Sequence, residues 1–432
     1  MKVLMLGWEY PPHISGGLGT ACEGLTRALA KIGVSIEFVV PRLLGGEDAP
    51  HMELVMAPPK ERRRSRTEGT SRSPSSVVIT PIDSPLRPYQ NEVSYAALRS
   101  EQLSAGFGSV DRDLVAELAA LGAEGREHYG KDIVSEVARY TRRVVEKGLH
   151  SSADIIHAHD WMTFPAAAAI KRLTGKPLVV HVHSLEVDRA GGKGDPRIEA
   201  IERRGLEEAD IVIAVSFYSR AIIHQHYGIP LDKIFVVHNG VYTPEITQPY
   251  RRARGWPTRV VLFLGRITQQ KGPEYFVEAA AKVIPQVADA LFVMAGTGDM
   301  LPRMIERVKQ LGLTENFYFP GFLRGQEVEQ IFSLADLYVM PSVSEPFGIA
   351  ALEALSFETP VIISRQSGVA EVLKSALTVD FWDTNRLADL IVDALLHDDV
   401  RREMVERSRE ELRRVRWDAA ATKTIDLYRM LV

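Results

Sequence analysis

Short apolar runs alternate with helix-length amphipathic stretches along this chain; the alternation breaks once and then restarts. "KVLMLGW" is followed by the helical "ACEGLTRALAKIG", stopped by Gly33, and then by "SIEFVV". "ADIIHAH", "PLVVHVH", "ADIVIAVS" and "KIFVVHNG" come next, each separated by a segment of helix size. Such spacing is the mark of a parallel sheet covered by helices. The stretch "TPEITQPYRRARGWPTR" has prolines and arginines but no period, and reads as a linker. Beyond it the pattern resumes with "VVLFLG", "ALFVMAG", "FYFPG", "ADLYVMP" and "PVIIS". The expected fold is α/β, with two doubly wound units facing each other across a cleft. Residues 1–244 form the first and 245–414 the second, and a helical tail, 415–432, packs back toward the first.

Within the first unit, residues 44–130 are less regular. The segment "PPKERRRSRTEGTSRSPSS" has almost no apolar residues and reads as a solvated loop in preference to a basic docking site. "KDIVSEVARYTRRVVEKGL" is an amphipathic helix with Ile133, Val134, Val137, Tyr140 and Val144 on one side. A net charge of −4 argues against nucleic acid as the main partner. One cysteine, Cys22, allows no internal disulfide and suits a reducing compartment. No apolar run is long enough to span a bilayer, and "MKVLMLGWEYPP" reads as a first strand, not a signal peptide. A cytoplasmic location is expected.

Ligands of doubly wound sheets bind at the carboxyl ends of the strands. After the first strand, "EYPPHISGGLGT" places Gly16, Gly17 and Gly19 at a helix start, where backbone N–H groups can approach phosphate or sugar. A dinucleotide fingerprint is excluded, because Cys22 stands at the third glycine position and Glu37 lies inside its strand. "AGTGD" is a second decoy, with Leu301 at its third glycine position. His159, Asp160 and Trp161 follow another strand. His157 and His159 are expected on opposite faces, with His159 at the strand end toward the cleft; His181 and His183 repeat the arrangement and leave the choice open.

Arg266 and Lys271 in "GRITQQKG" end a strand before a helix started by Pro273, and two cations there suit a diphosphate. In "PSVSEPFGIAALEAL", the helix is expected to begin near Phe347, with Glu345 just outside it. The N–H groups near Gly348 and Ile349 would bind phosphate. Glu353 would lie about 9 Å along the helix. One glutamate for a hexose, a helix start for phosphate and one glutamate for a ribose match the spacing of a sugar nucleotide. The Asp and Glu residues do not gather at metal-ligand spacing, so no metal is expected.

Taken in order, "SGGLGT", "HAHDW", "HNGV", "GRITQQKG" and "SEPFGIAALEA" resemble the retaining glycosyltransferases of the GT-B fold, the group of bacterial glycogen synthases, sucrose synthases and mannosyltransferases. "GWEYPPHISGGLGTACEGL" is most similar to glycogen synthase-like sequences. The resemblance implies two Rossmann-like domains and transfer of a hexose, glucose by expectation, from ADP-glucose or UDP-glucose to a saccharide or α-glucan, without cofactor. It implies that Arg266 and Lys271 hold the diphosphate, Glu345 the hexose and Glu353 the ribose, beside Phe347, Gly348 and Ile349. His159 would lie under the reacting sugar, Gly16 and Gly17 against the donor, and Asp160 and Asn239 along the cleft. One departure is Ile14, where starch synthases carry a lysine. The alternatives are a GT-B transferase with another donor and acceptor, or a non-catalytic carbohydrate-binding protein on this fold.

Overall fold

The computed structural model describes residues 1–11, 16–41, 52–54, 77–81, 133–242 and 259–432. The expected boundary at 244/245, the linker, Ile14 and most of the insert lie outside these residues. Two parallel sheets carry the fold.

The first sheet comprises β1 (Lys2–Leu6), β2 (Ser35–Val40), β3 (Met52–Leu54), β4 (Val77–Pro81), β5 (Ile155–His159), β6 (Leu178–Val182), β7 (Ile211–Ala214) and β8 (Ile234–Val236). Its order is β3-β4-β2-β1-β5-β6-β7-β8. β3 and β4 correct the expectation of irregular chain throughout 44–130: "VVITP" is β-branched and pairs with β2 from Ile36↔Val77 to Val40↔Pro81, extending the sheet at one edge.

The second sheet comprises β9 (Arg259–Leu264), β10 (Ala290–Ala295), β11 (Phe317–Gly321), β12 (Leu337–Met340), β13 (Val361–Ser364) and β14 (Leu377–Val379), in the order β11-β10-β9-β12-β13-β14. This is the arrangement of a doubly wound mononucleotide fold. Along β9, alternate residues serve different layers. Val261 and Phe263 pack with Phe276, Phe292 and Leu387, whereas Val260 and Leu262 join the layer of Leu352, Leu355 and Phe332. Strand periodicity alone divides the two layers.

The strand order reverses about the middle of each sheet, between β1 and β5 in the first and between β9 and β12 in the second. A crevice opens at the carboxyl ends of the strands at such a reversal. The helix Trp417–Arg429 follows the second unit in sequence, yet it packs on the helix Gly17–Lys31 of the first, and Val241 bridges to Arg416.

Candidate active site

At the reversal of the second sheet, β9 leads into Gly265–Lys271 and β12 into Pro341–Phe347. The two loops are tied together. Val343 donates its N–H to the Gln270 carbonyl at 2.9 Å. Gly272 has φ +64° and backs onto Pro341, where a Cβ would stand 2.1 Å from the carbonyl oxygen, so no larger residue fits. Arg266 donates to Gln270 Oε1 at 2.9 Å. Lys271 Nζ lies 2.5 Å from Glu345 Oε2, which also accepts from Ser342 Oγ at 3.1 Å. The cation expected on a diphosphate and the carboxylate expected on a hexose are thus in direct contact across the two loops.

The helix after β12 begins at Ile349, not at Phe347. Glu345 N–H donates to Gln366 O, and Glu345 O and Phe347 O accept from Gly368 and Val369, which holds 345–347 extended against the loop after β13. Gly348 then turns the chain at φ +107°, a conformation that favours glycine, and the helix starts. Glu353 therefore lies about 6 Å along the helix, not about 9 Å. Desolvation pushes its carboxyl up to about 7. The first N–H groups of the helix have no partner within it and carry its positive end.

At the reversal of the first sheet, Gly17 opens its helix close to the one just described: a Cβ on Gly17 would stand 4.0 Å from Ile349 Cδ1. Gly19 N–H donates to Glu9 Oε1 at 2.9 Å, so a carboxylate of the chain already occupies part of that helix start. The histidine expectation is corrected. Residues two apart on a strand share a face. Accordingly the rings of His157 and His159 stack at 4.4 Å, those of His181 and His183 at 4.3 Å, and those of His159 and His181 at 5.3 Å. His159 is fully buried and does not open to solvent. Its Nδ1 lies 2.9 Å from His183 Nε2, and burial pushes it down to about 3. Burial likewise holds His157, His181 and His183 well below the ordinary imidazole range. Cys22, His159 and His183 bring ligand-type atoms within 4.8 Å of one another, as do His157, His159 and His181. A search for clustered carboxylates overlooks both groups.

Asp160 has φ +58°, rare for a residue with a Cβ. Its Oδ1 accepts the N–H groups of His183 at 2.7 Å and Ser184 at 3.3 Å, and burial pushes the carboxyl up to about 7. Asn239 is buried in a different place: it lines a cavity of about 300 Å³ with Val372, Arg416 and Lys423, and none of the donor-side residues borders that cavity.

Sequence reasoning missed the residues that join the two sheets. Ser344 Oγ donates to Asp188 Oδ1 at 2.6 Å and meets Tyr218 OH at 3.0 Å. Ser216 Oγ donates to Pro346 O at 2.6 Å. Glu371 accepts the N–H groups of Phe217 and Tyr218 at 2.9 and 2.7 Å and meets His238 Nε2 at 2.8 Å. Burial alone would raise the Glu371 carboxyl, but these donors hold it below the ordinary range. The one sequence signal was position: Asp188 and Tyr218 each lie a few residues beyond a strand end of the first sheet.

Known proteins share this plan. Residues 248–411 match the family described as Glycosyl transferases group 1, and residues 112–244 the one described as Glycosyltransferase Family 4. A D-inositol 3-phosphate glycosyltransferase of Corynebacterium urealyticum is 30% identical over 70% of this chain and 77% of its own length. The chain belongs to the GT-B glycosyltransferases. An uncharacterised glycosyltransferase of Methanocaldococcus jannaschii is 29% identical over 100% of this chain and 98% of its own. A glycogen synthase of Mycobacterium tuberculosis is 27% identical over 88% and 81%. Among solved structures, sucrose-phosphate synthase from Thermosynechococcus elongatus superposes with a TM-score of 0.71 at 20% identity, over 100% of this chain and 98% of that one. Among the described residues of this glycosyltransferase, no helix is long and apolar enough to cross a membrane.

Proposed function

We propose that this glycosyltransferase moves a hexose, glucose in the first instance, from a nucleoside diphosphate sugar to a saccharide acceptor of α-glucan type, with retention at the anomeric carbon. The observation that carries the reading is the Lys271–Glu345 contact at the β9/β12 reversal, set beside a free helix start. Before a donor arrives, the cation and carboxylate satisfy each other. A diphosphate takes Lys271 together with Arg266, and Glu345 turns to the hexose hydroxyls. The N–H groups at Gly348 and Ile349 face phosphate, and Glu353, deeper in the same helix, receives the ribose. The likeness to a glycogen synthase supports glucose and an α-glucan.

Charge develops on the leaving diphosphate as the glycosidic bond breaks. Well-placed donors there are worth about 3 kcal/mol each. Arg266, Lys271 and the helix start supply them in place of a metal ion. No carboxylate is assigned as nucleophile, because Glu345 is engaged by the hexose. The acceptor hydroxyl attacks from the face the diphosphate leaves, and its proton passes to that diphosphate. The direct test is incubation with a panel of nucleoside diphosphate hexoses and an α-glucan, with nucleoside diphosphate release and the anomeric signals of the product followed by NMR. Acceptor-dependent release with an α-linked product supports the reading; a β-linked product, or release that ignores the acceptor, contradicts it.

A further inference from the structure

Glu345 sits one residue from a short, buried hydrogen bond between the two sheets. Ser344 has one hydroxyl proton, and at 2.6 Å it goes to Asp188 Oδ1. The Tyr218 hydroxyl, 3.0 Å away, then donates to the same Ser344 oxygen. Asp188 is 1% exposed and Ser344 9%, so water does not compete for these bonds. Asp188 is itself fixed: its Oδ2 accepts the Leu185 N–H at 3.0 Å, at the start of the short helix Glu186–Ala190 that follows β6. On the other side of the peptide bond, the Glu345 backbone is held by Gln366 and Gly368 of the second unit. One dipeptide thus carries an anchor in each sheet, and the second anchor holds the carboxylate paired with Lys271.

We infer that Asp188, acting through Ser344 with Tyr218, is a positioning residue for Glu345. It sets the distance between the carboxylate that meets the hexose and the first-sheet wall on which the acceptor lies. This rests on the function proposed above. Asp188 need touch neither donor nor acceptor to act. Displacing a reacting group by about 1 Å can cost about 100-fold in rate. The sheets do not depend on this link alone for contact, because Ser216 and Ser219 both donate to Pro346 O and Glu371 holds the start of the helix Phe217–Tyr227. Loss of Asp188 should therefore leave the fold standing and loosen one loop.

The test is a double-mutant cycle with Asp188→Ala and Ser344→Ala, read by steady-state kinetics and by hydrogen exchange across residues 341–348. Each single variant should lose about 10- to 100-fold in kcat, with donor KM changed less than about threefold. The double variant should match the singles, because both act through one bond. Asp188→Asn keeps one oxygen acceptor for Ser344 but turns its NH₂ toward the Leu185 N–H, and should keep more of kcat than Asp188→Ala. Exchange across 341–348 should quicken about tenfold in both alanine variants, with or without turnover. Unchanged kcat, losses that multiply in the double variant, or a loss confined to KM would overturn the inference. If no donor supports turnover in the unaltered protein, the proposed function falls, and unchanged exchange in the alanine variants overturns the anchor independently.

Discussion

The second sheet meets its reversal with Arg266, Lys271 and Glu345, partly exposed or paired with each other; the first meets its own with His157, His159, His181, Cys22 and Asp160, deep in the protein, and the less covered His183. The groups of the second site are charged, and each can exchange a side-chain partner for a ligand. Those of the first are held toward their neutral forms by burial; Asp160 is bonded to backbone N–H groups, His157 to Tyr428 and His159 to His183. In the function proposed above, these two parallel sheets divide the work: the second supplies charge to a donor, and the first a nearly uncharged wall.

The division breaks most easily at the cations. Replacing Arg266 or Lys271 by Ala should lower kcat about 10²- to 10³-fold while the fold survives. Near-normal turnover in both variants would remove the diphosphate from this site. The two glutamates sharpen the picture further. In the proposed function Glu345 meets a centre gaining positive charge, so Glu345→Gln should depress kcat by about 10²-fold with a small change in donor KM. Under the same proposal Glu353 contacts only the ribose, equally in ground and transition states, so Glu353→Gln should raise donor KM about tenfold and spare kcat. The reverse pattern would mean that the donor lies the other way round.

Acidity acts with opposite sign on the histidine stack of the first region and on Glu353 of the second. The folded histidines titrate below their unfolded value of about 6.5, so the unfolded chain binds more protons as pH falls through 6.5, and the stack loses stability toward acid. Glu353 titrates near 7 when folded and near 4.5 when unfolded, so its contribution is full below 4.5 and is lost as pH rises to 7. Thermal melts from pH 4 to 8, on an experimental scale chosen to span both windows, should show His181→Phe flattening the acid limb and Glu353→Gln the limb between 4.5 and 7. Identical pH profiles for both variants and the parent would mean that these groups titrate normally. The smallest expected effect is that of EDTA, which should leave turnover unchanged within about twofold if cationic side chains meet the donor charge; loss restored by Mg²⁺ would point to a metal requirement.

How much of this was legible in the sequence follows the same division. The strands from β5 to β13 could be read because each is a short apolar run between helices, and the position of Arg266, Lys271 and Glu345 beyond adjacent strands because they follow such runs. β4 was hidden by the Arg- and Ser-rich segment before it. The histidine faces were misjudged although period two decides them, since His157 and His159 differ by one full repeat. The helix start moved by two residues because the loop after β13 pulls 345–347 into extended pairing, a contact that no local signal announces. Asp188 and Ser344 are 156 positions apart in the chain, so their bond follows only from bringing two complete sheets together.

The central claim is that the β9/β12 reversal holds the diphosphate of a sugar nucleotide. Isothermal titration of UDP, ADP and GDP into the unaltered protein and into Lys271→Ala, both in EDTA, tests it most directly. The account predicts that at least one of the three binds the unaltered protein, and that Lys271→Ala weakens that binding about tenfold or more. Equal affinity in the two proteins, or no binding of any of the three to the unaltered chain, would contradict it.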